Sequence, residues 1–324
     1  MYHSFWGVEM VASAIVANKT IEDAFGSLIN RIRSYNPFVD IERLNAAYDT
    51  GKKAHNGQFR ASGEAYFSHP IAVGYLLADM HLDTDTIITA LLHDTVEDCD
   101  ITLQDISDQF GNQIANLVDG VTKLSQIENQ SPDKRQAENF RKLMVAISQD
   151  IRVLLVKLAD RLHNMQTIES INSLEKKERI AKETLEIFVP LAERLGITQY
   201  QTELEDTSFK ILYPEMRESI QNRLEFLAAE SENIFPRICQ ELQSLILDSG
   251  IECQVSGRRK TAYSIWRKMQ HRQVSMDQLA DIMAFRIIVP NISQCYEALG
   301  IVHTRYPMVM GRMKDYISTP KRNG

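Results

Sequence analysis

No run of apolar residues in this chain reaches the roughly 18 that a bilayer crossing needs. The closest, Val8–Ala17, is broken by Glu9 and Ser13. It follows no basic stretch and precedes no small-residue cleavage site, so a signal peptide is not expected. Cysteine is scarce: Cys99, Cys239, Cys253 and Cys295 form no CxxC pair and no regular framework. They read as reduced thiols of a cytoplasmic protein. Internal repeats and low-complexity tracts are absent, and before residue 250 few segments alternate in the manner of half-buried strands. These gaps exclude secreted disulfide scaffolds, repeat arrays and membrane spans.

What remains is 324 residues, 44% hydrophobic and 24% charged. That balance belongs to a soluble globular chain, and the length suits two domains. The net charge of −7 is unevenly spread. Residues 251–324 hold 12 Lys and Arg against 5 Asp and Glu, while the first 250 hold 24 against 38. An acidic first part argues against direct DNA binding. A basic second part suits a phosphate-rich ligand.

Helical periodicity runs from about residue 20 to 248. Ile41–Ala54, Pro70–Met80, Asp83–Val96, Gln136–Ile147 and Ile151–Met165 each repeat apolar residues at three- and four-residue steps. Ser219–Leu247 reads as one long exposed helix with a kink or break at Pro236. After Gly250 the pattern changes. Ile251–Ser256 and Ile282–Val289 read as strands, and Tyr263–Gln270 and Gln294–Thr304 as helices. The expected fold is mainly α: a helical bundle, then the start of an α+β domain whose strands need further partners.

The chemistry concentrates in three places: Ser68–His69–Pro70, the run HDTVED at 93–98, and DRLHN at 160–164. On a helix Thr84–Glu97, His93 and Glu97 share a face, as do Asp94 and Asp98. The adjacent His93 and Asp94 can both reach one ion only near a helix end. Asp160, His163 and Asn164 stand three and four apart on a strongly apolar helix, where a carboxylate is costly unless paired or metal-bound. Taken alone, a buried Asp beside Arg161 is more often an ion pair. The joint arrangement favours a site of two imidazoles and two carboxylates, suited to manganese, zinc, iron or cobalt rather than calcium. Such an ion activates water and polarises a phosphoryl oxygen. A second carboxylate pair then serves as base and orienter. The residues themselves lead to metal-assisted phosphate ester hydrolysis.

The runs KKAHNGQFRASGEAYFSHP (52–70), HDTVED, DGVTKL (119–124), KLADRLHNM (157–165) and PLAERLGI (190–197) resemble the Rel/SpoT family. These are alarmone synthetase-hydrolases whose hydrolase half is an all-helical HD domain. The resemblance implies hydrolysis of ppGpp or pppGpp at the 3′ diphosphate, releasing pyrophosphate and leaving GDP or GTP. It matches His69, His93, Asp94 and Asp160 to the ligands of a Mn2+ ion, and Glu97 and Asp98 to the water-activating pair. Arg60 and Asn164 match nucleotide contacts. One departure is Ala61, where the family usually has a second basic residue, and substrate affinity or preference is expected to change with it. On this reading residues 1–40 are a helical extension, 41–200 the HD hydrolase, 201–249 connecting helices, and 250–324 the first part of a nucleotidyltransferase-like synthetase domain.

In that last part GRRKTAYSIWRKMQHR (257–272) carries six Lys and Arg and no acid. From composition, a phosphate cradle and a solvated basic face with apolar contacts are about equally supported. The segment resembles the family's GRPKxxYSIxRKM motif, with Arg259 replacing proline. Arg258, Lys260 and Lys268 then match phosphate contacts, Ser264 a nucleotide contact, and Asp281 a Mg2+ ligand. RMKD (312–315) resembles the version found in members with an active hydrolase. The synthetase's later strand and its base are not in the sequence, so synthesis is not expected of this chain; ppGpp formed from ATP and GDP would contradict this. Two other readings differ in class: a remnant that binds guanine nucleotides without turnover, and an HD hydrolase acting on another nucleotide.

Overall fold

The computed structural model describes residues 20–128, 150–230, 234–276 and 283–321. The expected helix Gln136–Ile147 and the position Asp281 lie outside them. The chain divides into two compact units, Met1–Leu212 and Tyr213–Gly324.

Described elements of the first unit are helical. α1 (Ile21–Tyr35) starts at Thr20, whose hydroxyl accepts from the Asp23 amide, and buries Ala24, Leu28 and Ile32. α2 (Ile41–Ala54) is capped by Asp40. α3 (Ser68–Asp79) and α4 (Thr84–Leu92) are buried over most of their length. A helix apolar on all sides belongs inside a bundle. Accordingly α3 packs against α1, α4 and α8 (Ile151–Gln166). A one-turn α5 (Thr95–Asp98) follows α4, then α6 (Leu103–Phe110) and α7 (Asn112–Glu128), and α7 packs on α4 and α8. α9 (Leu174–Glu183) passes through a wider π turn at Thr184–Phe188 into α10 (Val189–Arg194). Pro190 has no amide to donate back to the preceding turn, which suits this widening. α11 (Thr198–Leu212) closes the unit against α8, α9 and α10.

Thr84–Glu97 is therefore not one helix. It breaks at His93–Asp94, where Asp94 adopts φ −92° and ψ −8°. The Thr95 hydroxyl donates to the Leu92 carbonyl at 2.6 Å, occupying the acceptor that a continuing helix would use. The apolar period of the sequence ran on to Val96 and did not register this break.

Gly51 sets how closely α2 approaches α4. A Cβ there would overlap the Phe67 ring and lie 2.8 Å from the Leu91 carbonyl oxygen. Gly51→Ala is expected to destabilise the protein by roughly 1–3 kcal/mol through overpacking. Gly26→Ala on α1, where nothing lies within 4 Å of the added carbon, should instead be neutral or stabilising by about 0.5–1 kcal/mol. Urea unfolding of the two variants reads the contrast, and equal midpoints would contradict it.

The second unit holds α12 (Pro214–Glu230), α13 (Ile234–Leu247), β1 (Gln254–Arg259), α14 (Ala262–Arg272), β2 (Met283–Ile288) and α15 (Ile292–Arg305). β1 and β2 pair antiparallel, with Gln254 opposite Ile288 and Arg259 opposite Met283. Ile246, Ile251 and Ala298 form a small core. Within the long helix expected over Ser219–Leu247, residues 219–230 belong to α12 and Ile234–Leu247 to α13, and Pro236 is the third residue described in α13. The first strand begins three residues later than the alternation suggested, because its pairing with β2 sets its limits. Gly257 lies under the Phe235 ring, with no room for a side chain. Among the described residues no helix is long and apolar enough to cross a membrane.

Candidate metal centre

Three elements of the first unit deliver the charged groups. His69 is the second residue of α3, and Asp160 lies on the core-facing side of α8. His93 and Asp94 occupy the break after α4. Donor atoms of His69, His93 and Asp160 lie within 4.8 Å of one another, and all three side chains are buried. His69 Nε2 stands 3.2 Å from Asp160 Oδ1 and 3.8 Å from Asp94 Oδ2. His93 Nε2 stands 3.1 Å from Asp94 Oδ1. Asp94 lies beside this closer trio, within 4 Å of both imidazoles.

His93 tests whether these residues suit a cation. Its Nδ1 donates to the Ala90 carbonyl at 2.8 Å, so a neutral ring keeps a lone pair on Nε2. That Nε2 is buried and has no hydrogen-bond partner. An unpaired acceptor facing a carboxylate oxygen is unfavourable unless a positive ion lies between them. The donor set of two imidazoles and two carboxylates fits a divalent transition metal.

Electrostatics favour the metal-binding forms of His69 and Asp160. Burial pushes the His69 and His163 imidazoles down, leaving them neutral. For Asp160 burial acts upward, but the Lys157 ammonium foremost outweighs it and holds the carboxyl well below the usual range. Lys157 Nζ donates to Asp160 Oδ2 at 2.9 Å and to Ser125 Oγ at 2.9 Å, and Asn164 Nδ2 donates to Asp160 Oδ1 at 2.6 Å.

Lys157→Met would leave the Asp160 charge buried without its cation. In metal-free protein it should cost about 3 kcal/mol or more near neutral pH. The lowered folded-state pKa makes this contribution present above the unfolded value and lost as pH falls through the folded one. The deficit should therefore shrink on acidification, and urea unfolding across pH checks it.

Glu97 and Asp98 stand at the rim of an open cleft that also exposes Tyr66, Asp94, Lys157 and Asn164. Partial burial pushes the Glu97 carboxyl up; Lys157 opposes it, and Asp94 and Asp98 add to it. One Tyr66 hydroxyl lies 3.0 Å from both Asp94 Oδ2 and Asp98 Oδ2, so it links the ligand group to the rim. Burial pushes the Tyr66 phenol far up, so it stays a donor. Arg60 lies in a tight turn where Gly63, at φ 86°, donates to the Arg60 carbonyl. The guanidinium lies 3.0 Å from His163 Nδ1 and donates to Asn164 Oδ1 at 2.7 Å. Ala61 sits exposed in that turn.

Of the eight residues expected at the hydrolase site, His69, Asp94, Glu97, Asp98, Asp160 and Asn164 line the cleft, while His93 lies beside Asp94 and Arg60 beside Asn164. Tyr66, Ser125 and Lys157 were not singled out from the sequence. Their only local signal was spacing: Tyr66 and Lys157 each fall three residues before a candidate ligand.

A family model described as "HD domain" matches residues 47–198, and one described as "Region found in RelA / SpoT proteins" matches residues 257–324. The GTP pyrophosphokinase rsh of Brucella melitensis is 46% identical over 296 residues, covering 91% of this chain and 39% of that protein. The bifunctional (p)ppGpp synthase/hydrolase SpoT of Escherichia coli K12 is 45% identical over 300 residues, covering 93% of this chain and 43% of that protein. The chain belongs to the Rel/SpoT family. It spans about two-fifths of the length of these relatives. The HD match takes in Arg60 and every residue that lines the cleft, from Tyr66 to Asn164, and the RelA/SpoT match opens at Gly257.

The basic residues of that second match lie in the second unit. Arg258 is exposed on β1, and Lys260 lies between β1 and α14. Ser264 and Lys268 share a face of α14, whose N-cap Thr261 accepts from the Ser264 amide.

Proposed function

We propose that this chain is a cytoplasmic, metal-dependent (p)ppGpp 3′-pyrophosphohydrolase, with Mn2+ held by His69, His93, Asp94 and Asp160. The observation that carries the reading is the buried, unpartnered Nε2 of His93, aimed at carboxylates in an open cleft of an HD domain. One relative, from Escherichia coli O157:H7, is named guanosine-3′,5′-bis(diphosphate) 3′-pyrophosphohydrolase. A divalent ion there supplies a lowered water pKa and a polarised phosphoryl oxygen.

The chain's own groups do the rest. Glu97 takes a proton from the attacking water, and its raised pKa suits a base that must also give the proton up. Asp98, held through Tyr66, orients that water. A bond forms between the water oxygen and the phosphorus next to the ribose 3′ oxygen, and the bond from phosphorus to that oxygen breaks. The 3′ oxygen gains a proton and pyrophosphate leaves. Arg60 and Asn164 hold the nucleotide. In the second unit, Arg258, Lys260, Ser264 and Lys268 bind guanine nucleotide phosphates, with Asp281 contributing to a Mg2+ site.

The test is pyrophosphate release from ppGpp by purified full chain with Mn2+, alongside other nucleotides. Release from ppGpp that chelator abolishes is expected. Nucleotide binding without turnover, or turnover only of another nucleotide, would contradict the proposal.

A further inference from the structure

His163 belongs to neither the ligand set nor the cleft lining, yet it is buried to 3% exposure against His69. Its Nδ1 lies 2.7 Å from His69 Nδ1 and 3.0 Å from a terminal nitrogen of Arg60. A guanidinium has five donors and no acceptor. In the contact with Arg60, His163 Nδ1 must therefore accept. The same Nδ1 then cannot donate to His69, so His69 Nδ1 is the donor of the 2.7 Å bond. A neutral His69 with its proton on Nδ1 carries its lone pair on Nε2. That atom faces Asp160 at 3.2 Å and Asp94 at 3.8 Å.

The arrangement gives both histidines one tautomer by different means. His93 reaches it through the Ala90 carbonyl, a backbone group that no substitution removes. His69 reaches it through another side chain, which itself depends on Arg60. The hydrogen bonds run from Arg60 along two branches that end at facing acceptors. From Arg60 they run through His163 to His69, and from Arg60 through Asn164 to Asp160, where His69 Nε2 and Asp160 Oδ1 meet.

We propose that His163, fixed by Arg60, is a positioning residue that presents the Nε2 lone pair of His69 to the metal. The proposal rests on the reading of His69 as a metal ligand. Groups that orient a ligating histidine typically contribute 10–100-fold in metal affinity. A histidine that merely fills space would contribute through packing alone.

The test compares His163→Phe, which keeps bulk without an acceptor, with His163→Gln, whose amide oxygen can accept. Metal-free full chain is titrated with Mn2+ by calorimetry, and thermal unfolding checks folding. Wild type should bind Mn2+ at the site, His163→Phe roughly 10–100-fold more weakly, and His163→Gln within a few-fold of wild type. Wild-type affinity in a folded His163→Phe would overturn the proposal while leaving the metal site intact. Failure of wild type to bind Mn2+ would overturn both. Should His163→Phe not fold, two-bond nitrogen–proton NMR of metal-free wild type decides. A His69 proton on Nδ1 supports the assignment, and one on Nε2 overturns it.

Discussion

Replacing His93 with alanine should lower pyrophosphate release from ppGpp by roughly three orders of magnitude or more. A metal centre stabilises transition-state charge by several kcal/mol, and each 1.36 kcal/mol is a tenfold change in rate. His93 is well suited to this test because, among the described residues, its hydrogen bond from Nδ1 to the Ala90 carbonyl lies within its own helical turn. Losing Nε2 removes an unpaired buried acceptor rather than breaking a network. The folding cost is then mainly a cavity, smaller than the catalytic loss. Calorimetry should show Mn2+ binding lost or greatly weakened, with helical circular dichroism retained. Wild-type turnover in a folded His93→Ala protein would remove His93 from the mechanism.

Glu97→Gln should separate water handling from metal binding. It keeps the shape of the side chain, removes the proton acceptor, and leaves His69, His93, Asp94 and Asp160 untouched. Mn2+ affinity should stay near wild type while kcat falls by about 10²–10⁴-fold, the usual contribution of a general base. The pH profile gives a second readout. Burial raises the Glu97 pKa above its ordinary value, and the base works only when ionised. Activity of wild type should therefore fall on acidification at a higher pH than an unperturbed glutamate would produce, and this acid limb should be missing from the residual activity of the variant. An unchanged acid limb in Glu97→Gln would assign the base to another group, with Asp98 the nearest.

Much of the first unit was legible in the sequence because its helices carry regular apolar periods. Ile41–Ala54 and Ile151–Gln166 begin where the period begins, and acidic caps at Asp40 and Asp150 mark both starts. The helix end at His93–Asp94 was implied by chemistry, since two adjacent ligands need a turn, even though the hydrophobic pattern ran through it. The ring of contacts around His163 was not legible. Asp160 and His163 are visible as neighbours on one helix, but Arg60 is more than a hundred residues away, and its reach depends on the turn closed by Gly63. Tyr66 was hidden for a similar reason, because its two partners lie across the helix break. In the second unit strand limits came from pairing between β1 and β2, which alternation within either segment does not specify.

Anomalous diffraction at the manganese edge from crystals of the full chain grown with Mn2+ tests directly whether His69, His93, Asp94 and Asp160 hold one ion. One strong peak is expected between His69 Nε2, His93 Nε2 and the carboxylates of Asp94 and Asp160. No peak there, or a peak held by other side chains, would contradict that assignment.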